Sequence, residues 1–524
     1  MPPAPVSYRL DDTTAGRQAL EVAARHFAHH RQTGGARSTT YYDTFDWRLF
    51  RQDTVLKAEI DGHSRVLQWA HIDGSEIRRV PITEKPGFAW DLPAGALREG
   101  LESTLEMRRL LPLFTIEVQV QTLHVLDDRR KTVARARLEQ IRAHPLQGNG
   151  ESVDLPVALR LLPVRGYDKH FADLVQVLEP AGLEPLEDDE FAMATKAVGL
   201  RPASYSRKLE LQLEPTERSD EAVKTILERL LQVMRQNEDG LRNNLDSEFL
   251  HDFRVAVRRT RSALTQLKGV LPPEAADHFK REFSWLGQIT GPTRDLDVYL
   301  LKMPVYRASL PERLRADLDP LDEFLVRHQQ IEHRDLIQLL DTQRYRSLLA
   351  DWQDFLAQPL SEDGDRPEGA TRILDLASRR IWKSVRKVLK KGGAIEPDTP
   401  ATALHRLRIE CKKLRYLLEF FRSLYPESEL LPLIDALKRL QDNLGDFNDL
   451  EVQQETLRRF AQTMLVEKIG TVSSLMAMGR LVERLEHRQV EERRIFHRRF
   501  ARFSSRKNRQ RFKTLFKPAE TGSA

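Results

Sequence analysis

The stretch HDFRVAVRRTRSAL at residues 251–264 recurs in altered form as HRLRIECKKLRYLL at residues 405–418. An offset of 154 residues aligns the two copies without a gap, and every arginine of the first copy then meets an arginine or a lysine of the second. The same offset pairs Pro272 with Pro426. Matches of this length are the signature of a duplicated structural unit. We therefore expect the second half of the chain to contain two copies of one fold.

Each copy has the periodicity of an amphipathic helix. At about 100° per residue, the histidine and most cations of one copy fall within an arc of roughly 80°, beside an apolar stripe. Only Asp252 and Glu410 are acidic within the two copies. A surface helix usually alternates charges of opposite sign, so these helices favour an external anion over an ordinary solvated face. The predicted anion-binding residues are His251, Arg254, Arg258, Arg259 and Arg261 in the first copy, and His405, Arg408, Lys412, Lys413 and Arg415 in the second.

Each copy is followed by an acidic segment, Arg294–Asp297 in the first half and Asn448–Glu451 in the second. Three roles remain open for these segments: helix caps, ion-pair partners that orient the basic side chains, and a metal site. Of these, the orienting role is favoured. If the two copies pack about a pseudo-twofold axis, their cationic stripes can line a shared groove or pore that suits a linear, phosphate-rich anion.

The chain changes character near residue 200. Short β-branched and aromatic runs separated by Asp-Gly and Pro-Gly turns predict an α+β domain at residues 1–200. Apolar residues spaced three and four apart then predict an all-α domain at residues 215–515. Its two repeats are placed at about 215–360 and 370–515, with an exposed loop at 361–369 between them and a disordered tail at 518–524.

Composition limits the classes of function. The 524 residues carry a net charge of +5, and the segment from Arg484 to Lys517 holds 13 Lys/Arg against 3 Glu. Such a segment suits a polyanion partner, although a solubilising basic tail would look the same. The single cysteine, Cys411, excludes an internal disulfide framework and a multi-cysteine zinc site. We expect a cytoplasmic protein without a secretory signal, a membrane span, a bound metal or a cofactor.

The paired H-x2-R-x3-[RK]-[RK]-x-R motifs, each followed by a [RN]-D-L-[DE]-V segment, resemble those of the CHAD family, the conserved-histidine α-helical domains. This resemblance covers about residues 215–515. It implies two four-helix bundles related by pseudo-twofold symmetry around a basic central pore that binds inorganic polyphosphate. It also implies association with polyphosphate granules.

The segment Tyr41–Leu49, YYDTFDWRL, is similar to a stretch of the CYTH domains, which have an antiparallel β-barrel or triphosphate tunnel fold with helices. The resemblance covers about residues 5–200, with departures. The opening E-x-E-x-K is missing, Lys57 is followed by Glu59 where a second cation is typical, and the last Glu-x-Glu strand reads Val157–Arg160. Metal-assisted hydrolysis needs several carboxylates, so we expect a degenerate scaffold domain rather than an enzyme.

Two alternatives remain open beside polyphosphate binding. The first is a metal-dependent triphosphate or polyphosphate hydrolase acting through the N-terminal domain. The second is a nucleic-acid-binding protein, which the basic helices would suit. Single-strand binding usually adds exposed aromatic side chains, and outside their apolar stripes the motif helices offer only Tyr416.

Overall fold

The computed structural model describes residues 3–10, 12–61, 64–146, 150–179, 183–359 and 365–518. It forms two compact units, residues 1–206 and 207–524. The predicted tail at 518–524 lies outside the described residues except for Pro518.

The N-terminal unit is built on one antiparallel sheet. Its described strands follow the order β10-β1-β9-β7-β6-β2-β3-β4-β5, and β8 pairs with β7 beside this path. The predicted runs at 39–42, 55–60, 66–69 and 114–120 lie within β2, β3, β4 and β6. The strands are β1 (Val6–Leu10), β2 (His29–Asp43), β3 (Thr54–Asp61), β4 (Ser64–His71), β5 (Glu76–Pro81), β6 (Leu111–Leu126), β7 (Thr132–Pro145), β8 (Val153–Asp154), β9 (Val157–Pro163) and β10 (Glu184–Pro185).

Four helices cover this sheet: α1 (Thr13–His26), α2 (Ala96–Leu105), α3 (Asp168–Leu178) and α4 (Glu190–Ala197). The helices α1 and α3 pack on β7 and β9, and α2 packs over β3 and β4. Phe191 of α4 contacts the rings of Tyr41 and Phe114 on the remaining face. Apolar side chains therefore cover part of each face of the sheet.

The second unit is all-helical, as its 3.6-residue periodicity predicts. None of its described helices, nor any in the first unit, has the length and apolarity that a membrane span requires. The helices are α5 (Ser219–Arg242), α6 (Ser247–Gln266), α7 (Pro273–Ile289), α8 (Gly291–Ser309), α9 (Asp319–Leu340), α10 (Gln343–Ala357), α11 (Ile373–Gly393), α12 (Ala401–Phe420), α13 (Glu427–Val466), α14 (Val472–Phe503) and α15 (Arg506–Phe516).

The internal repeat extends to the helix boundaries. The motif helix α6 and its counterpart α12 begin and end 154 residues apart. One helix breaks where its copy does not: α7 ends before Gly291-Pro292, whereas α13 continues through Gly445-Asp446. Proline lacks the backbone N–H that a continuing helix needs and disfavours helical geometry in the residue before it. The break thus lies at a proline that the second repeat lacks.

The start of each repeat marks a local twofold axis. Arg218 and its repeat equivalent Arg372 form an antiparallel bridge. Ser219 N donates to Thr371 O at 2.9 Å, and Ile373 N donates to Glu217 O at 2.9 Å. The second bond is the first with its partners exchanged by the 154-residue offset. This reciprocity is what a twofold relation between the repeats requires.

Each repeat contributes a four-helix group, as predicted. The helices α5, α6, α7 and α10 pack together, and so do α11, α12, α15 and the first half of α13. A third group was not predicted. It joins α8 and α9 to α14 and the second half of α13 around a shared apolar core that contains Tyr299, Met303 and Leu457. The two repeats are therefore held together by a common core as well as by their motif helices.

The segment at 361–369 was predicted to be an exposed loop, but part of it is buried. Residues 361–364 lie outside the described chain. Arg366 is buried and pairs with Asp220 at 2.5 Å, and both side chains are under 5% exposed. A second arginine, Arg218, also pairs with Asp220, at 2.9 Å. The segment between the repeats is thus tied to the start of the first repeat by a buried ion pair.

Candidate functional site

The two motif helices contact each other and line one cleft of about 920 Å³. Asp246 caps the start of α6 by accepting from the backbone N–H groups of Glu248 and Phe249. The apolar stripe predicted for α6, Phe253, Val257, Thr260 and Leu264, is buried, which turns the basic stripe toward the cleft. Six predicted residues line this cleft: His251, Arg258, Arg259, Arg408, Lys412 and Arg415.

Two smaller clefts continue from the first. The second, of about 480 Å³, shares Arg258, Lys412 and Tyr416 with the first and adds Arg261 and Lys413. The third, of about 260 Å³, shares Lys413, Thr265 and Gln266 with the second. Seventeen lysines and arginines line the three clefts against eight aspartates and glutamates. The clefts therefore form a cationic path along α6 and α12.

Three motif cations face this path without a carboxylate at ion-pairing distance among the described residues: Arg258, Arg261 and Lys412. Burial lowers the pKa of Lys412 to about 8, and the neighbouring charges of Arg408 and Arg258 add to that shift. An unpaired, partly buried charge costs free energy. An anion bound at this point would relieve that cost.

One hydrogen bond lies at the junction between the first and second clefts. Arg258 Nε donates to the hydroxyl of Tyr416 at 2.6 Å. Tyr416 is only 8% exposed, so it is not the free aromatic surface that its sequence position outside the apolar stripe suggested. Its environment offers a polar hydroxyl to the path rather than a ring face for base stacking.

A single carboxylate holds two cations of the first cleft. Glu419 accepts from Arg259 Nη2 at 2.7 Å and from Arg415 Nε at 2.6 Å. Arg259 and Glu419 belong to opposite repeats, and Thr265 occupies the position equivalent to Glu419. The bridge therefore exists on one side of the pseudo-twofold axis.

Arg254 and His405 are not among the residues that line the three clefts. Arg254 Nη1 donates to Gly287 O at 2.9 Å and to Thr290 Oγ1 at 2.7 Å, so it ties α6 to the end of α7. Burial lowers its pKa, although Asp295 opposes this shift. His405 is exposed, and its Nδ1 lies 2.5 Å from Asn448 Oδ1. These positions support the motif helices instead of facing the path.

The acidic segments lie inside helices. Asp449 accepts from Arg408 at 3.0 Å. In the first repeat, Arg294 donates to Ser247 O and lies 3.8 Å from Glu248. The contact of Asp449 matches the orienting role in the second repeat, whereas in the first repeat Asp297 accepts from Gln329 at 3.0 Å instead of from a motif cation.

One cluster near the first motif has ligand atoms close enough for a metal. Glu248, His251 and Asp252 place one such atom each within 4.8 Å of one another. Arg207 already lies 3.7 Å from Glu248 and 3.8 Å from Asp252. The adjacent guanidinium groups neutralise these carboxylates and repel a divalent ion.

The N-terminal unit offers no comparable acidic site. Among its described residues, no three His, Cys, Asp or Glu side chains bring ligand atoms together. Glu139 is engaged by Arg160 at 2.7 Å, and Lys57 pairs with Glu59 at 3.3 Å. Asp43 of the YYDT segment accepts backbone N–H groups within its own loop, and burial raises its pKa to about 6. These residues do not fit the divalent metal that CYTH chemistry requires.

Cys411 also lacks the features of a nucleophile. It is fully buried in α12, and burial raises the pKa of its thiol. A thiol that is hard to ionise is a weak nucleophile.

Several residues of the path lie outside the motifs. Arg380, Lys383 and Lys387 of α11 line the third cleft. The charge of Lys383 alone indicates an extension of the basic surface, whereas Arg380 and Lys387 were missed. Their spacing at i, i+3 and i+7 places them on one helix face, which was a usable signal. Lys280 and Arg281 of α7 line the second cleft. They become part of the site only through packing between helices.

Comparisons with known proteins agree with this architecture. The CHAD domain model matches residues 225–458. An uncharacterised protein of Mycobacterium tuberculosis, present in strains CDC 1551 and H37Rv, is 26% identical over 293 residues, 51% of this chain and 53% of that protein. The chain thus spans about half the length of the curated relatives it matches.

Solved structures are similar to each unit. The CHAD domain of the plant Ricinus communis is 27% identical and covers 57% of this chain and 97% of its own, with a TM-score of 0.48. A structure from Bacillus halodurans, named as a candidate adenylate cyclase, is similar over the N-terminal region. It is 11% identical and covers 36% of this chain and 94% of its own, with a TM-score of 0.24. The chain carries a CHAD domain at residues 225–458, preceded by an antiparallel sheet unit with CYTH-like structural neighbours.

Proposed function

We propose that the helical unit binds linear inorganic polyphosphate along its three contiguous clefts. The observation that carries this proposal is the junction of the first two clefts, where Arg258 and Lys412 from opposite repeats face the same space. Neither has a carboxylate at ion-pairing distance among the described residues. Arginine grips phosphate oxygens with a planar fork, and lysine supplies a less directional charge.

The shape of the path favours a long anion over a compact one. Three connected clefts with a large excess of cations offer several phosphate positions in series. Each neutralised phosphate would release counterions, by analogy with nucleic acids, so the affinity should fall steeply with salt. The CHAD resemblance supplies the identity of the anion and the expected association with polyphosphate granules in the cytoplasm.

Nucleic acid is a less suitable ligand for this path. Sequence-tolerant binding of single strands uses aromatic side chains on which bases stack. Tyr416 is the one aromatic residue that lines the three clefts in the described chain, and it is nearly buried. The charge of the path would still allow weak binding at low salt.

The protein is proposed to bind without catalysis. The sheet face that carries Tyr41 and Phe114 is packed against Phe191 of α4. The carboxylates beside it, Glu139 and Glu190, are paired with arginines. Nothing in this arrangement favours metal-dependent cleavage of a phosphoanhydride, so the N-terminal unit is assigned a scaffold role.

The test is a binding titration with long-chain polyphosphate, repeated with RNA and single-stranded DNA as competitors. Replacing two charge-assisted contacts, Arg258→Glu with Lys412→Glu, should weaken polyphosphate binding by about 100-fold or more. The control carries the same charge change at two exposed α11 residues outside the clefts, Arg386→Glu with Lys390→Glu. Equal affinity in both variants would refute the proposal. Release of phosphate from tripolyphosphate with Mg²⁺ or Mn²⁺ would support the hydrolase alternative.

A further inference from the structure

The third cleft lies at the edge of the second motif, and most of the residues that line it belong to neither motif. The end of α6, one face of α11 and part of α12 enclose about 260 Å³. We name this space the α11 recess. Five cations line it: Lys268, Arg380, Lys383, Lys387 and Lys413.

The single carboxylate of the α11 recess is already engaged. Glu410 Oε1 accepts from Lys391 Nζ at 2.9 Å and lies 3.5 Å from Lys413 Nζ. Burial would raise the pKa of Glu410, but the hydrogen bond from Lys391 and the charges of Lys413, Lys391 and Lys387 lower it overall. Lys383 and Lys387 themselves are exposed and have no carboxylate at ion-pairing distance in the described chain. They are available to an incoming anion.

The repeat shows that two of these cations, Arg380 and Lys387, are not a requirement of the fold. In the first repeat, the α5 residues equivalent to Arg380 and Lys387 are Ile226 and Val233, both buried, whereas the residue equivalent to Lys383 is again basic, Arg229. The positive charges of Arg380 and Lys387 are therefore specific to one side of the pseudo-twofold axis.

The α11 recess is continuous with the motif clefts. Thr265, Gln266 and Lys413 line both the recess and the second cleft. A polyphosphate chain that passes the Arg258–Tyr416 junction can follow α12 toward α11 and remain beside cationic side chains. On the opposite side of the axis, α5 keeps one cation, Arg229, and has the apolar Ile226 and Val233 at the other two positions.

We infer that the α11 recess is a binding subsite for the continuing segment of a linear phosphate chain. This inference rests on the proposed function and specifies the course of the ligand: the polyphosphate chain leaves the motif clefts along α11. Lys383 and Lys387 contact phosphates that a short chain held at the motifs does not supply.

The experiment compares long-chain polyphosphate with tripolyphosphate in three proteins: the wild type, Lys383→Glu with Lys387→Glu, and the control Arg386→Glu with Lys390→Glu. All four residues are exposed on α11, and only the first pair lines the recess. Circular dichroism confirms that both variants are folded. The recess variant should bind the long chain about tenfold or more weakly than the control, and its salt slope should fall by about one per lost lysine. Its affinity for tripolyphosphate should equal that of the control.

The outcomes separate this inference from the proposed function. A wild-type protein that does not bind long-chain polyphosphate refutes the proposed function. Wild-type binding with equal weakening in the two variants shows a general charge effect and overturns the subsite. If the recess variant loses the same fraction of its affinity for tripolyphosphate as for the long chain, the subsite is also overturned, because the recess would then belong to the primary site.

Discussion

Arg258 of the first repeat and Tyr416 of the second are joined across the cationic path by a hydrogen bond of 2.6 Å. The repeat equivalents of these two residues are Lys412 and Ser262. Serine is too short to reproduce the tyrosine contact, so the two sides of the junction differ. Arg258 is held at its Nε, while Lys412 keeps its charge free of any carboxylate at ion-pairing distance in the described chain. The two ends of the path therefore differ, although the fold that forms it is duplicated.

Removing the Tyr416 hydroxyl should strengthen anion binding. The Arg258 Nε that bonds to this hydroxyl is part of the fork that grips phosphate, so the ligand must compete with it. Tyr416→Phe keeps the buried ring and releases Arg258. We expect long-chain polyphosphate to bind up to about tenfold more tightly, in line with the net value of one hydrogen bond. Isothermal titration measures this change. A tenfold loss would instead show that the hydroxyl contacts the ligand.

Neutralising Glu419 should have a similar effect for an electrostatic reason. This carboxylate occupies Arg259 and Arg415 together, which reduces the charge that they offer to a phosphate chain. Glu419→Gln should raise the affinity and steepen its salt dependence, because more cations then take part in counterion release. The matched control is Glu486→Gln, since Glu486 pairs with Arg458 at 2.5 Å outside the clefts. The same gain in both variants would indicate a change of net charge only.

Lys412 should make binding depend on pH above neutrality. Its pKa in the free protein is about 8, below the ordinary lysine value of 10.5. The folded state therefore disfavours the charged form, and the resulting loss of stability, present below pH 8, is relieved as the pH rises toward 10.5. A bound polyanion favours the charged form and raises this pKa. Above pH 8, binding should be accompanied by proton uptake, and the affinity should fall by up to about tenfold per pH unit.

The proton uptake can be measured by titration calorimetry in buffers of different ionisation enthalpy. Lys412→Arg supplies the control, because arginine stays charged throughout this range. The affinity of this variant should be nearly constant from about pH 7 to about pH 9.5, a range that includes the pKa of Lys412. A pH dependence that survives in Lys412→Arg would assign the titrating group elsewhere.

The sequence predicts the repeat and the motif helices well because both depend on local periodicity. The helical character of α6 and α12 and their buried stripes follow from residues three and four positions apart. The roles of Arg254 and His405 do not follow in the same way. They lie in the basic stripe, but Arg254 donates to Thr290 at the end of α7, and Asn448 lies beside His405. Only tertiary packing decides which members of a stripe face a cleft.

The same limit explains what the motifs could not reveal. Glu419 lies just after the second motif, and its two arginine partners come from different repeats. Lys280 and Arg281 join the second cleft from α7, which carries no motif. In the N-terminal unit, the YYDT segment resembles the CYTH domains, but the resemblance does not reveal what Asp43 contacts. Asp43 accepts backbone N–H groups of its own loop, which is a structural role.

A glycine in α5 tests how tightly the first motif helix is packed. A Cβ built on Gly240 would lie 2.2 Å from Cδ1 of Phe249, a ring that is itself 1% exposed near the start of α6. Alanine favours a helix over glycine by about 1 kcal/mol. Overpacking a core costs about 1–3 kcal/mol, and the buried Phe249 has little room to move. We therefore expect Gly240→Ala to lower the free energy of unfolding, by up to about 2 kcal/mol net.

The control for this prediction is Gly479→Ala in α14, where a Cβ would meet nothing within 4 Å. Only the gain in helix propensity applies there, so this variant should be more stable than the wild type by up to about 1 kcal/mol. Chemical denaturation of both variants measures the difference. Opposite signs would show that close packing of α5 on α6 fixes the position of the first motif. A stabilised Gly240→Ala protein would mean that Phe249 can yield, and that α6 is held mainly by its other contacts, such as the one from Arg254 to α7.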